Sequence, residues 1–164
     1  MQPKTGIISD HLDKISHALC CALADEFLLY TKTRNAHWNV EGSDFYAKHK
    51  FFESQYEQLD ETMDMVAERI RTIGHYAPAR LYELLRLTRL SEQPVGSNDS
   101  LTFIKILLDD HESIIIHLRE NINLFANELN DLYKRIQAAR RPDGKGKAFL
   151  LQFSMVALAP EDVV

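Results

Sequence analysis

Two pairs of side chains in one stretch of this sequence have the types and spacing to hold a metal ion. His49 and Glu53 are four residues apart, and so are Asp64 and Glu68. On an α-helix such partners lie one turn from each other and can share a cation. Imidazole and carboxylate suit iron, and no thiolate stands among them. Taken singly, either pair reads as the solvated face of a helix, which is commoner than a metal site.

Their joint arrangement says more. On a helical wheel His49, Glu53, Asp60, Asp64 and Glu68 fall within about 100° of one another. Phe52, Tyr56, Leu59, Met63, Val66, Ile70 and Ile73 take a separate arc, the expected core face. Along the axis the pair centres, near residues 51 and 66, lie roughly 22 Å apart at about 1.5 Å per residue. One ion cannot bind both pairs of one chain. Two copies of the helix crossing antiparallel near residues 58 and 59 would bring each His49/Glu53 to the partner's Asp64/Glu68. That gives two equivalent sites about a two-fold axis, so the spacing itself points to a dimer.

The elements that carry these residues are helical. Leu12, Ile15, Leu19, Leu23, Phe27 and Tyr30 recur at steps of three and four, predicting a first helix over 9–37. Glu41-Gly42-Ser43 reads as a break and a new N-cap, and a second helix runs over 43–73. Gly74 stops it and Pro78 forbids continuation. A short helix is expected over 80–87. A third long helix over 98–132 shows a regular seam of Leu101, Ile104, Leu108, His111, Ile115, Leu118, Ile122, Phe125, Leu129 and Leu132. Residues 134–147 are basic and carry Pro142, Gly144 and Gly146. An apolar segment, 147–159, is expected as an atypical fourth helix, filling the groove that three long helices leave unless a partner subunit does so. No strand-like alternation competes, so the expected architecture is an all-α four-helix bundle in one domain, 1–164.

One further motif completes the pattern. The stretch His37-Trp38-Asn39-Val40-Glu41-Gly42-x-x-Phe45-x3-His49-x3-Glu53 leads to Asp64-Met65-Val66-Ala67-Glu68-Arg69 and then Ile73-Gly74. It closely resembles the Dps family of ferritin-like proteins, whose signature joins H-W-x-x-x-G-x-x-F, a second His, an acidic residue and D-x-x-A-E-R. The resemblance runs from about residue 10 to residue 131. It implies that His37, His49 and Glu53 from one subunit, and Asp64 and Glu68 from the facing subunit, bind iron. Many relatives have Asp where this chain has Glu53. It also implies that Trp38 sits beside the site as an aromatic that supplies or relays electrons. Family members form hollow twelve-subunit shells, oxidise ferrous iron preferentially with hydrogen peroxide and store ferric mineral. The tail from Tyr133 onward departs from the family's pattern of a capped fourth helix. A shortened fourth helix would expose the seam of the third and alter the contacts that build the shell.

Other chemistries fit less well. Ordinary ferritins and di-iron oxygenases carry Glu-x-x-His within one bundle, and this sequence has none. His111-Glu112 lacks the second His of a zinc hydrolase motif, and His111 is read as a seam histidine. His11, His17 and His75 carry no motif. The second function considered is a DNA-compacting or scaffold protein with little oxidase activity. Lys134, Arg135, Arg140, Arg141, Lys145 and Lys147 could touch phosphates. A solvated loop is the favoured reading, because the formal net charge is −5 and a negative surface repels nucleic acid.

Composition sets the remaining bounds. At 164 residues the chain can bury a real core. Cys20 and Cys21 are neighbours on a helix, point different ways and are expected to be reduced thiols of a cytoplasmic protein. The opening MQPKTGIISDHLDK lacks an apolar core, so no signal peptide is expected. The longest apolar stretch, Ala148 to Ala159, includes Gln152 and Ser154 and falls short of the roughly 20 residues a membrane span needs.

Overall fold

The computed structural model describes residues 9–92 and 95–138. It contains four helices in the order α1 (Ser9–Asn39), α2 (Phe45–Thr72), α3 (Leu81–Leu87) and α4 (Ser100–Ala138). No strand occurs among the described residues; one isolated bridge pairs Glu41 with Asp99. The chain divides into two compact units, one ending at Leu124 and one beginning at Phe125. The first holds α1 to α3 and the start of α4. In the second, the described residues are helical through Ala138. The expected fourth helix over 147–159 and the basic residues from Arg140 to Lys147 lie outside the described residues, as do the side chains of Lys134 and Arg135.

Helix ends follow local chemistry more closely than periodicity. The second helix stops as expected. Gly74 adopts φ +93°, which glycine alone enters without steric cost. Its N–H donates to the Arg71 carbonyl at 3.0 Å, and His75 N–H to the Ile70 carbonyl at 3.1 Å. This pair of bonds is a Schellman closure. The helix starts at Phe45 rather than 43, because Gly42 turns the chain with φ +121°. Ser43 does not cap it, and Asp44 makes no capping bond to the helix; its carboxylate accepts from Ser100 Oγ at 2.7 Å. α4 starts at 100 rather than 98 because Asp99 caps it, accepting from Thr102 N–H at 3.0 Å and from the Thr102 hydroxyl at 2.7 Å. A hydrogen bond from the Ser97 hydroxyl, with these bonds from Thr102, holds the Asp99 carboxyl at about 2, well below its usual range.

The core forms where α1, α2 and the first turns of α4 meet. Leu28, Leu29, Ala36 and Val40 pack with Phe52 and Leu59, and with Phe103, Leu107 and Ile114. Phe52 and Phe103 meet edge to face at 6.3 Å. On α2, Phe52, Leu59 and Ile70 are buried, which is the face expected from the wheel. On α4 the result differs from expectation. The buried residues are Phe103, Leu107, Asp110 and Ile114, while Leu101, Leu108, Ile115, Leu118 and Ile122 of the expected seam are exposed. α4 carries two adjacent apolar stripes. The one through Phe103, Leu107 and Ile114 packs in the described core, with Ile104 at its margin.

Two polar clamps fix the helices. Asp25, fully buried on α1, accepts from Arg89 N–H at 2.6 Å, from the Arg89 guanidinium at 2.6 and 2.9 Å, and from the Thr88 hydroxyl at 3.0 Å. Lys32 forms an ion pair with Asp110 of α4 and donates to the Ser91 carbonyl at 3.1 Å. Charges this deep are tolerated because each is paired.

Candidate metal site

The turn between α1 and α2 brings His37, in the last turns of α1, against His49, near the start of α2. Their rings stack with centroids 3.8 Å apart and planes 22° apart. Each ring is also locked by the other's backbone. Nδ1–H of His37 donates to the His49 carbonyl at 2.9 Å, and Nδ1–H of His49 donates to the His37 carbonyl at 2.8 Å. A carbonyl oxygen can only accept, so the proton must sit on Nδ1. In the neutral ring the lone pair is then on Nε2, the arrangement a metal-binding histidine needs. Phe45 stacks on the far face of His49 at 5.2 Å. His37 is buried and His49 half-buried.

Glu53 lies one turn beyond His49 and is bound to Lys50, whose ammonium donates to the carboxylate at 2.5 Å. That hydrogen bond holds the Glu53 carboxyl below its usual range, and the charge of the Lys50 ammonium pulls the same way. Glu53 also shares an electrostatic neighbourhood with both histidines. Its carboxylate is ready for a cation, with Lys50 as the group to be displaced.

Asp64 and Glu68 occupy the same side of α2 more than two turns further on, and both are exposed. No hydrogen bond or ion pair among the described residues engages either carboxylate. α2 is unbroken from Phe45 to Thr72, so the separation of roughly 22 Å between the two donor pairs stands. Among the described residues no group of three or more His, Cys, Asp or Glu is gathered closely enough to hold a metal. The chain thus brings His37 and His49 together, sets Glu53 beside them, and leaves Asp64 and Glu68 apart. The donors present, imidazole nitrogen and carboxylate oxygen, fit ferrous iron.

Trp38 is 66 % exposed next to this group. Three neighbours were not singled out as site residues in the sequence. Tyr56, assigned there to the core face, stands edge-on to His37 with centroids 5.1 Å apart. Lys50 holds Glu53, and Arg34 lies over the rings of Tyr30, Trp38 and Tyr56. The spacing of Tyr30, Arg34 and Trp38, four residues apart in turn, already places an aromatic–cation–aromatic ladder on one face of α1.

An all-α bundle that presents histidines and carboxylates from its long helices defines a ferritin-like protein. A model of the ferritin-like domain matches residues 17–136. The DNA protection during starvation protein of Helicobacter pylori is 36% identical over 105 residues, covering 64% of this chain and 73% of that one. A low temperature-induced protein of Nostoc is 32% identical over 126 residues, covering 77% and 70%. The crystal structure of the Vibrio cholerae Dps protein, described as a member of a broad superfamily of ferritin-like diiron-carboxylate proteins, superimposes with a TM-score of 0.73 at 25% identity, covering 79% of this chain and 81% of that one. The chain belongs to the Dps family of ferritin-like proteins.

No described helix is long and apolar enough to cross a membrane.

Proposed function

We propose that this protein oxidises ferrous iron at sites shared between two copies of the chain and stores the ferric product as mineral inside a twelve-subunit shell. The observation that carries the reading is the reciprocal locking of His37 and His49. It fixes the proton on each Nδ1 and leaves each Nε2 to bind a metal, beside the ionised Glu53. The chain's own Asp64 and Glu68 lie too far along α2 to complete that group, so a second copy, antiparallel across α2, supplies them.

Iron is the substrate here. Carboxylate donors favour the ferric state, and a small protein ligand set leaves room for water and oxidant. With hydrogen peroxide as oxidant, two ferrous ions each give one electron. The peroxide takes up two protons and leaves as two waters. Consuming both reagents together limits hydroxyl-radical formation. Protection of DNA, as in the name of the Helicobacter relative, would follow here from that consumption; the net charge of −5 gives no support to direct DNA contact. We place the activity in the cytoplasm, in keeping with the free thiols of Cys20 and Cys21.

Stopped-flow absorbance of anaerobic protein loaded with ferrous iron and mixed with peroxide tests the reading. Ferric formation much faster than in protein-free buffer is expected, from particles of twelve-subunit mass. Oxidation no faster than in buffer would refute the oxidase. A dimer as the largest species would refute storage.

A further inference from the structure

The family resemblance assigns electron supply to Trp38, yet the readily oxidised ring packed against the paired histidines is Tyr56. Its centroid is 5.1 Å from that of His37, edge to face, and Tyr30 stands edge-on to it at 6.1 Å. Between these aromatics lies the Arg34 guanidinium, 4.2 Å from the Tyr56 centroid, 5.2 Å from Trp38 and 5.6 Å from Tyr30. Arginine keeps its charge at every relevant pH.

A fixed positive charge treats the two candidate donors differently. An indole that loses an electron first becomes a cation, which a guanidinium at contact distance repels. A phenol that gives up an electron together with its proton ends as a neutral radical and meets no such repulsion. The neutral rings themselves attract Arg34 through their faces, so the same residue holds Trp38 in place and disfavours its oxidation. We infer that Arg34 selects Tyr56 over Trp38 as the one-electron donor at this site. Arg34 is a positioning residue in this scheme, and Tyr56 is the group that reacts.

The inference rests on the proposed iron oxidation for its occasion. When a site holds a single ferrous ion, that ion supplies one of the two electrons peroxide needs. The Tyr56 phenol supplies the other together with its proton, so the peroxide leaves as one hydroxide and one water and the phenol becomes a neutral tyrosyl radical. Iron and the phenol have each supplied one electron, and the phenol one proton. The oxidising equivalent stops at a half-buried neighbour of the site.

The sequence contains a single tryptophan, so any indolyl radical belongs to Trp38. The test has two arms on the assembled protein. In the first, less than one ferrous ion per site is mixed with excess peroxide, freeze-quenched and examined by electron paramagnetic resonance and peptide mass mapping. Wild type should give a tyrosyl signal that falls at least ten-fold in Tyr56→Phe, with Trp38 little oxidised. In the second arm azide radicals, generated by pulse radiolysis without iron, oxidise the protein, and indolyl and tyrosyl absorbances are read separately. Wild type should settle on tyrosyl. Arg34→Met should raise the indolyl yield and Trp38 oxidation several-fold, and Arg34→Lys, which keeps the charge, should restore the wild-type pattern. A mere packing role for Arg34 would lower stability in both variants without moving the oxidised residue. Oxidation centred on Trp38 in wild type, or an unchanged pattern in Arg34→Met, overturns the inference. The iron-free arm reads it even where iron oxidation itself fails.

Discussion

The two ends of α2 carry the same kind of donors in opposite states. At the N-terminal end, His49 is locked by α1, stacked between His37 and Phe45, and followed by a Glu53 already tied to Lys50. At the C-terminal end, Asp64 and Glu68 are exposed, and no bond among the described residues engages their carboxylates. One end is organised by its own chain. At the other, the helix is closed by Gly74 but no described residue of the chain holds the two carboxylates. A polar stripe that served only solubility would not need two imidazoles aligned through each other's backbone. On the proposed reading, half of a site is built at one end of α2 and the complementary half is presented from the other.

The sharpest way to break this comparison is to remove the loose end. Asp64→Ala with Glu68→Ala should lower the rate of peroxide-driven iron oxidation by about a hundred-fold or more, since even residues that only support metal ligands cost up to that much. The circular dichroism spectrum should not change, because both side chains are exposed. An undiminished rate would show that this end takes no part.

A second perturbation separates site from scaffold. Arg89→Ala leaves the buried Asp25 carboxylate without its cation, and breaking such a pair costs roughly 3 kcal/mol or more. The denaturation midpoint should fall accordingly. Any folded fraction should keep its rate per site, because the clamp ties α1 to the segment after α3 and not to His37 or His49.

The smallest effect sharpens the ordered end. Lys50→Met removes the hydrogen bond that depresses the Glu53 carboxyl, which should then titrate higher, toward its ordinary value of 4.5. A depressed carboxyl contributes stability above its unfolded value and loses it as pH falls through the lowered folded value. In the variant that contribution shrinks, and what remains is lost over a narrower window just below the ordinary value. Carbon-detected NMR of the iron-free protein reads the shift directly. An unmoved titration would show that Lys50 does not hold Glu53.

Much of this was legible in the sequence, for a physical reason. An unbroken helix advances by a constant angle, so the positions of His49, Glu53, Asp64 and Glu68 on one stripe, and of Phe52, Leu59 and Ile70 on another, follow from spacing alone. Gly74 announced its own conformation. The packed face of α4 was not legible, because both of its stripes are apolar and regularity does not say which one meets α1 and α2. The locking of His37 by His49 was equally hidden. It depends on how two helices cross at a turn, and the bonds run to backbone carbonyls that every sequence possesses. Tyr56 looked like core because it falls on the apolar arc of the α2 wheel, and only the crossing shows that His37 is what it packs against.

The central claim is that a working site needs two chains. His49→Ala/Glu53→Ala protein and Asp64→Ala/Glu68→Ala protein, each inactive alone, should regain iron oxidation when unfolded together and reassembled. In each mixed pair one of the two shared sites then has every donor. Recovery in proportion to the mixed pairs counted by native mass spectrometry is the predicted result. Mixed pairs that form and remain inactive would contradict the shared site.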